Sequence, residues 1–256
     1  TLEDVNALGT ALIDAGFKDK KIAIIGENSY WWAVSYLAVV CGTGIAVPLD
    51  KELSPKDVEG LIAQSEAACA IITDKHAKTF EPLYKSGETC LKMLVNMDAK
   101  EDTEMTFSWE KMVAKGRKLI EEGNRDFLDA QMITDEMSVL LFTSGTTGLS
   151  KGVMLSQRNL VTDLMIAPTV LKVNDWDIFF SVLPIHHTYE CTCGFLMPLY
   201  KGAAIAYCEG LKHITKNLTE VRPTMFLGVP LIMERLYKKI WKNVRKKGKE
   251  DMLRKI

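Results

Sequence analysis

The sequence predicts an α/β fold of mostly parallel sheets covered by helices. Short uncharged runs, which are typical of buried strands, alternate with segments whose apolar residues recur at helical spacing. This alternation favours parallel strands joined by helical crossovers. The length of 256 residues, with 47% hydrophobic and 25% charged residues, fits a globular chain of one large domain or two subdomains.

The first third of the chain carries the clearest alternation. Cap residues or a proline mark the start of two of its helices, and Gly16 ends the first helix. Segment 100–136 is more charged, so we predict a surface helix and a connection there, and we place any boundary between two α/β subdomains within it. The predicted helices begin at Leu2, Asn28–Ser29, Ser54–Pro55 and Lys75, and the predicted strands are 21–26, 45–49, 69–73 and 91–95.

The stretch 138–152 has the composition of a phosphate-binding loop. Its uncharged run 139–142 predicts a buried strand, which leads into glycine and hydroxyl residues and then Lys151. Glycines let successive backbone N–H groups turn toward one anion, hydroxyl groups add donors, and lysine adds positive charge. The spacing is neither that of a Walker A loop nor that of a dinucleotide-binding Gly-x-Gly-x-x-Gly. The residues concerned are Ser144, Gly145, Thr146, Thr147, Gly148, Lys151 and Gly152.

A helix that begins at the cap residue Ser156 is predicted after this loop. Placed directly after the loop, it would point the positive end of its dipole at a bound phosphate. The later predicted elements are strand 177–185, helix 191–200, strand 203–208, helix 212–221, a strand-to-helix junction at Pro230 and helix 231–256.

Two adjacent histidines, His186 and His187, follow strand 177–185. Open α/β sheets bind ligands at the carboxyl ends of their strands, so this pair is a site hypothesis, although histidines in turns are more often packed structural features. Glu190 is either a hydrogen-bond partner that fixes the imidazole tautomer or a carboxylate in the first turn of a helix. A metal site is disfavoured, because His76 and His213 are distant in sequence and no clustered acids accompany them.

Three stretches resemble the adenylate-forming enzymes, most closely the long-chain acyl-CoA synthetases. Segment 142–152, Phe-Thr-Ser-Gly-Thr-Thr-Gly-Leu-Ser-Lys-Gly, resembles their phosphate loop, with Ser150 in place of the usual proline. Segment 183–190 resembles their Leu-Pro-x-x-His-x-x-Glu region, with His187 as the matching histidine. Segment 222–237 resembles their Lys/Arg-Pro-Thr-x-x-x-x-Val-Pro-x-x-x-x-x-Leu segment, whose strand end lines the acyl pocket. On this resemblance, residues 1–256 are the amino-terminal part of the large domain, and the carboxyl-terminal domain is absent.

The resemblance implies a function and a set of site residues. Such enzymes use ATP, with Mg²⁺, to convert a carboxylic acid, here a fatty acid, to an acyl-adenylate, and they release pyrophosphate. In a second step coenzyme A, the co-substrate, takes the acyl group to give acyl-CoA, and AMP is released. His187 and Lys151 would be catalytic, Gly228, Val229 and Pro230 would lie at the acyl pocket, and the 256-residue chain alone is expected to be inactive. The implied nucleotide-binding residues are Thr143, Ser144, Gly145, Thr146, Thr147, Gly148 and Lys151.

Two alternatives remain for the function. A non-catalytic pseudoenzyme would retain the phosphate loop but would not turn over a carboxylic acid. An NTP-hydrolysing enzyme would use the loop on the terminal phosphate and release inorganic phosphate.

Charge and cysteine content bear on partners and location. The net charge of −1 gives no reason to expect nucleic acid, and six scattered cysteines fit reduced thiols in a cytoplasmic protein.

Helix 231–256 is basic and amphipathic. The favoured interpretation is that its apolar face packs on the domain, and the alternative is peripheral contact with a membrane. Segment 28–49 is long and uncharged enough for a membrane span, but Gly42 and Pro48 favour a buried helix and strand.

Overall fold

In the computed structural model, residues 1–143, 150–246 and 248 are described. The strands are β1 Lys20–Ile24, β2 Gly44–Pro48, β3 Cys69–Ile72, β4 Met93–Asn96, β5 Thr106–Ser108, β6 Met137–Thr143, β7 Lys151–Ser156, β8 Ile178–Ser181, β9 Ala204–Tyr207 and β10 Met225–Phe226. The helices are α1 Leu2–Asp14, α2 Tyr30–Ala38, α3 Pro55–Ser65, α4 Asp74–Ser86, α5 Trp109–Glu121, α6 Gln157–Val170, α7 Met197–Lys201, α8 Ile214–Val221 and α9 Pro230–Lys246, and Val39–Thr43 and Glu190–Leu196 are π-helical.

The described strands form two sheets. The larger sheet has the order β5-β4-β3-β1-β2-β6-β7, and its pairs are parallel except for the antiparallel pair β6–β7. The smaller sheet has the order β10-β8-β9 and is parallel. The predicted α/β class with mostly parallel sheets is therefore confirmed.

Local signals in the sequence placed several helix starts correctly. The hydroxyl groups of Ser29, Ser54 and Ser156 each accept a backbone N–H of the following helix, from Trp32, Asp57 and Asn159 respectively. Each bond satisfies a donor that the first turn of a helix otherwise leaves unpaired.

Segment 100–136 differs from the surface helix and connection that its charges predict. It supplies β5 at the edge of the larger sheet, and α5 buries Trp109, Met112 and Val113. The helix packs on α1 so closely that a Cβ on Gly116 would lie 1.8 Å from the carbonyl oxygen of Ala7. Charged residues occupy one face of α5, and their number makes the segment look like a surface helix, although its opposite, apolar face packs against the core. The subdomain boundary placed in this segment stays a prediction.

Aromatic packing connects the two sheets. Trp32 and Tyr36 of α2 stack with ring centroids 5.4 Å apart, and Phe195 meets them edge-on at 6.3 Å and 5.9 Å. All three rings are fully buried. Because Phe195 lies in the π-helical segment after β8, this cluster attaches the smaller sheet to the layer of α2, with aromatic geometry that adds to simple burial.

Segment 28–49 forms α2, a π-helical turn and β2, as its turn residues predict. None of the helices in the described residues is both long and apolar enough to cross a membrane.

Candidate functional site

The two ends of the predicted phosphate loop are neighbours in the larger sheet. Thr143 at the end of β6 pairs with Lys151 at the start of β7, and both side chains are exposed. The side-chain Nε2 of Gln64, in α3, donates to the carbonyl oxygen of Ser150 at 3.2 Å. This bond links α3 to the start of β7. The other predicted nucleotide-binding residues, Ser144, Gly145, Thr146, Thr147 and Gly148, lie outside the described residues.

The expectation that a helix follows this loop directly is wrong. Strand β7 returns antiparallel to β6 before α6 begins at Gln157. The side-chain Nε2 of Gln157 donates to the hydroxyl of Ser138 at 2.8 Å, near the start of β6. Six residues of extended chain span about 20 Å, so the positive end of α6 lies at the opposite end of the strand pair and its dipole is too distant to act on the loop.

A cavity of about 420 Å³ lies beside the ends of this loop. It opens where β2 and β6 reach their carboxyl ends, and the turn after β8 closes another side. The polar residues in its lining include Asp50, Thr143, Ser150, His186, His187 and Thr188. The cavity therefore brings Thr143 and Ser150, which flank the predicted phosphate loop, and the histidine pair to one site at the strand ends, although they are far apart in the sequence.

The backbone around His187 fixes its turn. Its N–H donates to the carbonyl oxygen of Pro184 at 3.0 Å, and its carbonyl oxygen accepts from the N–H of Cys191 at 2.9 Å. The imidazole Nδ1 accepts from the backbone N–H of Tyr189 at 3.3 Å. An Nδ1 that accepts leaves the proton of a neutral imidazole on Nε2. The exposed ring can therefore donate a hydrogen bond from Nε2 to an anion in the cavity.

His186 has a different environment from its neighbour. Its Nε2 lies 3.8 Å from an oxygen of Asp50, which follows β2. Burial lowers the pKa of His186, and the negative charge of Asp50 opposes this shift. Sequence reasoning treated His186 as structural and did not single out Asp50. The position of Asp50 directly after a strand in a parallel sheet was the signal available.

The Glu190 carboxylate makes no hydrogen bond to His187 among the described residues, so of the two alternatives for Glu190 the one in which it fixes the imidazole tautomer is wrong. Its carboxylate is fully buried, and Oε1 accepts a hydrogen bond from the hydroxyl of Ser181 at 2.6 Å. The other oxygen, Oε2, has no hydrogen-bond partner in the described part of the chain. Burial raises the pKa of Glu190 to about 7, and the bond from Ser181 acts in the opposite direction. Glu190 does begin the π-helical segment, in agreement with its predicted first-turn position.

The predicted acyl-pocket residues follow β10. This strand pairs in parallel with β8, Met225 with Phe179 and Phe226 with Phe180. The carboxyl ends of β8 and β10 therefore meet at one edge of the smaller sheet, so Gly228–Pro230 lie at the same edge as the histidine turn. Pro230 begins α9, as predicted. None of the three residues lines the 420 Å³ cavity.

The apolar side chains of α9 differ in exposure. Among its described residues Ile232 is buried, while Leu231, Met233, Tyr237 and Ile240 are exposed. Of the four residues that define the predicted apolar face, Ile232 is buried, Leu236 and Val244 are half-buried and Ile240 is exposed, so packing of this face on the domain stays a prediction.

Comparison with protein families and curated proteins gives consistent matches. A family model described as AMP-binding enzyme matches residues 1–255. A probable CoA ligase, CCL6, from Humulus lupulus is 29% identical over 243 residues, covering 89% of this chain and 36% of that protein. Long chain acyl-CoA synthetase 4 of Arabidopsis thaliana is 28% identical over 260 residues, covering 95% of this chain and 38% of that protein. The chain thus spans less than two-fifths of the length of these relatives.

Solved structures show the same fold. The A-PCP didomain of carboxylic acid reductase from Segniliparus rugosus, in complex with AMP, superposes with a TM-score of 0.83 at 20% identity, covering 96% of this chain and 38% of that one. Apo MatB from Rhodopseudomonas palustris superposes with a TM-score of 0.76 at 19% identity, covering 93% and 44%.

Proposed function

This chain belongs to the AMP-binding enzyme family, and we propose that the full-length protein uses ATP to activate a carboxylic acid, first to an acyl-adenylate and then to an acyl thioester. The observation that carries the proposal is the cavity at which both ends of the phosphate loop meet His187. A loop whose sequence suits anion binding and a histidine that can donate a hydrogen bond, both at the carboxyl ends of strands, favour a reaction between two anionic partners.

The first proposed step joins the acid to the nucleotide. A carboxylate oxygen attacks the α-phosphorus of ATP, a new P–O bond forms, and the bond to the departing pyrophosphate breaks with its electron pair. Both reactants are negative, so catalysis depends on holding them together and offsetting charge. Lys151 and the loop that begins at Thr143 are proposed to hold the β- and γ-phosphates, and His187 Nε2–H is proposed to donate to the oxygen on which charge develops.

The second proposed step transfers the acyl group to sulfur. A thiolate, which we propose to be that of coenzyme A, attacks the acyl carbon, and the C–O bond to AMP breaks. His187 is proposed to donate to the carbonyl oxygen during this attack. The family's later segments would complete the nucleotide site, so the 256-residue chain alone is proposed to have little or no turnover.

Magnesium is proposed to arrive with ATP. The described residues contain no group of three or more His, Cys, Asp or Glu side chains that could hold a metal ion. None of them is therefore assigned to Mg²⁺, and neither step above is routed through it.

A fatty acid is the proposed substrate. Curated relatives carry the names of long-chain acyl-CoA synthetases, and Gly228, Val229 and Pro230 are proposed to border the acyl chain. A Cβ on Gly228 would lie 2.3 Å from the terminal methyl of Met233. Glycine at this position therefore allows the Met233 side chain to approach the backbone closely, as glycines in strands and at their ends often do.

Peripheral membrane contact through 231–256 is also proposed, because α9 exposes both apolar and basic side chains. Flotation of the full-length protein with anionic liposomes tests it. Paired reversal of Lys242 and Lys246 to Glu should reduce binding, whereas reversal of Lys85 and Lys92, on another surface, should not. Equal flotation of both variants and the parent protein would exclude this helix as the contact.

The experiment that tests the function is ATP–pyrophosphate exchange by the full-length protein with a panel of carboxylic acids. The proposal requires exchange that depends on the acid. A pseudoenzyme would give no exchange with any acid, and an NTP-hydrolysing enzyme would release inorganic phosphate whether or not acid is present.

A further inference from the structure

Asn28 makes three hydrogen bonds to the segment that leads into the histidine pair. Its side-chain Nδ2 donates to the carbonyl oxygen of Leu183 at 2.6 Å and to the hydroxyl of Ser181 at 2.9 Å. Its Oδ1 accepts from the backbone N–H of Ile185 at 3.1 Å. Both N–H groups and the carbonyl of the amide are therefore used.

The two partners belong to different parts of the fold. Asn28 lies between β1 and α2, beside Ser29, which caps α2. Residues 183–185 follow β8 of the smaller sheet. The phosphate loop joins β6 and β7 of the larger sheet, so Asn28 connects the sheet that carries the loop to the turn that carries His187.

The far end of the histidine turn is also held. The Ser181 hydroxyl, which accepts from Asn28, donates to Glu190. Glu190 begins the π-helical segment, and within that segment the N–H of Cys191 donates to the carbonyl oxygen of His187. A polar chain from Asn28 through Ser181 to Glu190 thus spans the turn from both sides, and its members are partly or fully buried. Each of these hydrogen bonds restricts the geometry of the groups that it joins, and the unbonded Oε2 of Glu190 lies outside the path from Asn28 to Ser181.

We propose that Asn28 is a positioning residue that sets the location of His187 relative to the phosphate loop. The side chain must be an amide, because its three partners require two donors and one acceptor from the same planar group. Aspartate has the same shape but lacks the donors, and it would direct negative charge at the Leu183 carbonyl. The effect on rate rests on the proposed function, whereas the effect on the position of His187 does not.

The first experiment measures the histidine environment directly in the full-length protein. Histidine is labelled with ¹³C, the Cε1–H resonance of His187 is identified with His187→Gln, and the spectra of Asn28→Asp and Asn124→Asp are compared. Asn124 is the matched control because it lies in the loop after α5, where its amide makes only a local turn. We expect the His187 resonance to move in Asn28→Asp and to keep its position in Asn124→Asp. An unchanged His187 resonance in folded Asn28→Asp overturns the proposal.

A second variant covers the case in which Asn28→Asp does not fold. Asn28→Gln keeps both donors and the acceptor but carries them on a side chain that is longer by one methylene. It should therefore move the His187 resonance while keeping the unfolding midpoint closer to that of the parent protein. An unchanged resonance in this variant would also overturn the proposal.

A double-mutant cycle between Asn28 and His187 uses the rate of acid-dependent exchange as its readout. Asn28→Asp should lower kcat about tenfold, with little change in KM for ATP, as expected for one misplaced hydrogen-bonded group. In the His187→Gln background the same substitution should have no further effect. An equal loss in both backgrounds would contradict positioning through His187. Absence of exchange in the parent protein would count against the proposed function alone, and the resonance shift would still decide the role of Asn28.

Discussion

Thr143 and Lys151 are direct partners in the antiparallel pair of β6 and β7. Paired strands lie about 5 Å apart, so the two ends of the intervening loop are fixed by the sheet itself. Lys151 therefore takes its position from the strand pairing, and the bond from Gln64 to Ser150 supports the same end. Lys151 does not itself line the 420 Å³ cavity, but its neighbour Ser150 and its strand partner Thr143 do, and Lys151 is proposed to supply positive charge next to them.

Replacement of Lys151 tests this role. Lys151→Ala should lower acid-dependent exchange by about a hundredfold, because a charge that offsets developing negative charge at the phosphates is lost. Lys172→Ala removes an exposed lysine elsewhere and serves as the control. Steady-state exchange kinetics measure both, and equal rates for the two variants would exclude Lys151 from the reaction.

Replacement of His187 tests a residue that lines the cavity. His187→Ala should reduce kcat about a hundredfold or more while KM for ATP changes little, since the donated hydrogen bond is proposed to strengthen as charge develops. His213→Ala is the control, because His213 is exposed at the start of α8. A change confined to KM would instead indicate that His187 only binds substrate.

The buried carboxylate of Glu190 predicts a pH dependence of stability. Burial raises its pKa from an ordinary 4.5 to about 7. The folded state then binds a proton more tightly than the unfolded state, so the stabilisation is full below pH 4.5 and is lost as the pH rises toward 7. This contribution changes by at most about 1.4 kcal/mol per pH unit. Urea unfolding at several pH values measures it, and Glu190→Gln should flatten the slope in this window. A parent protein and variant with equal slopes would show that Glu190 does not titrate there.

Two glycines in helices give a matched test of packing. A Cβ on Gly116 would meet the Ala7 carbonyl oxygen of α1, whereas a Cβ on Gly60 in α3 would meet nothing within 4 Å. Gly116→Ala should therefore lower the free energy of unfolding by about 1–3 kcal/mol, because the backbone of α1 must move. Gly60→Ala should raise it by about 0.5–1 kcal/mol through helix propensity. Chemical denaturation distinguishes them, and a stabilised Gly116→Ala would show that α1 and α5 do not pack this closely.

Local signals were sufficient for much of the fold. Buried strands such as β3 are uncharged runs, and Ser29, Ser54 and Ser156 are hydroxyl residues directly before helices, so both kinds of element can be recognised from adjacent residues. Strand β7 could not be recognised in this way. Its residues follow a glycine-rich loop, and their pairing with β6 is a tertiary contact that the sequence pattern does not encode.

At the candidate site, too, local signals in the sequence were recognisable and long-range contacts were not. Lys151 and His187 were predicted because each lies in a recognisable motif. Asn28 was predicted only as a helix cap, since its three bonds to residues 181–185 cross more than 150 positions of sequence. For Glu190 the sequence left two alternatives open, a bond to His187 or a position in the first turn of a helix, and the carboxylate in fact turns into the core toward Ser181. Side-chain direction at a turn depends on packing that adjacent residues do not reveal.

The measurement that tests the central claim most directly is acid-dependent ATP–pyrophosphate exchange by the full-length protein, with a fatty acid and with no acid. We predict incorporation of labelled pyrophosphate into ATP only when the acid is present, and its loss in Lys151→Ala. Release of inorganic phosphate without exchange, or no exchange with the fatty acid or with any other acid of the panel proposed above, would contradict the account.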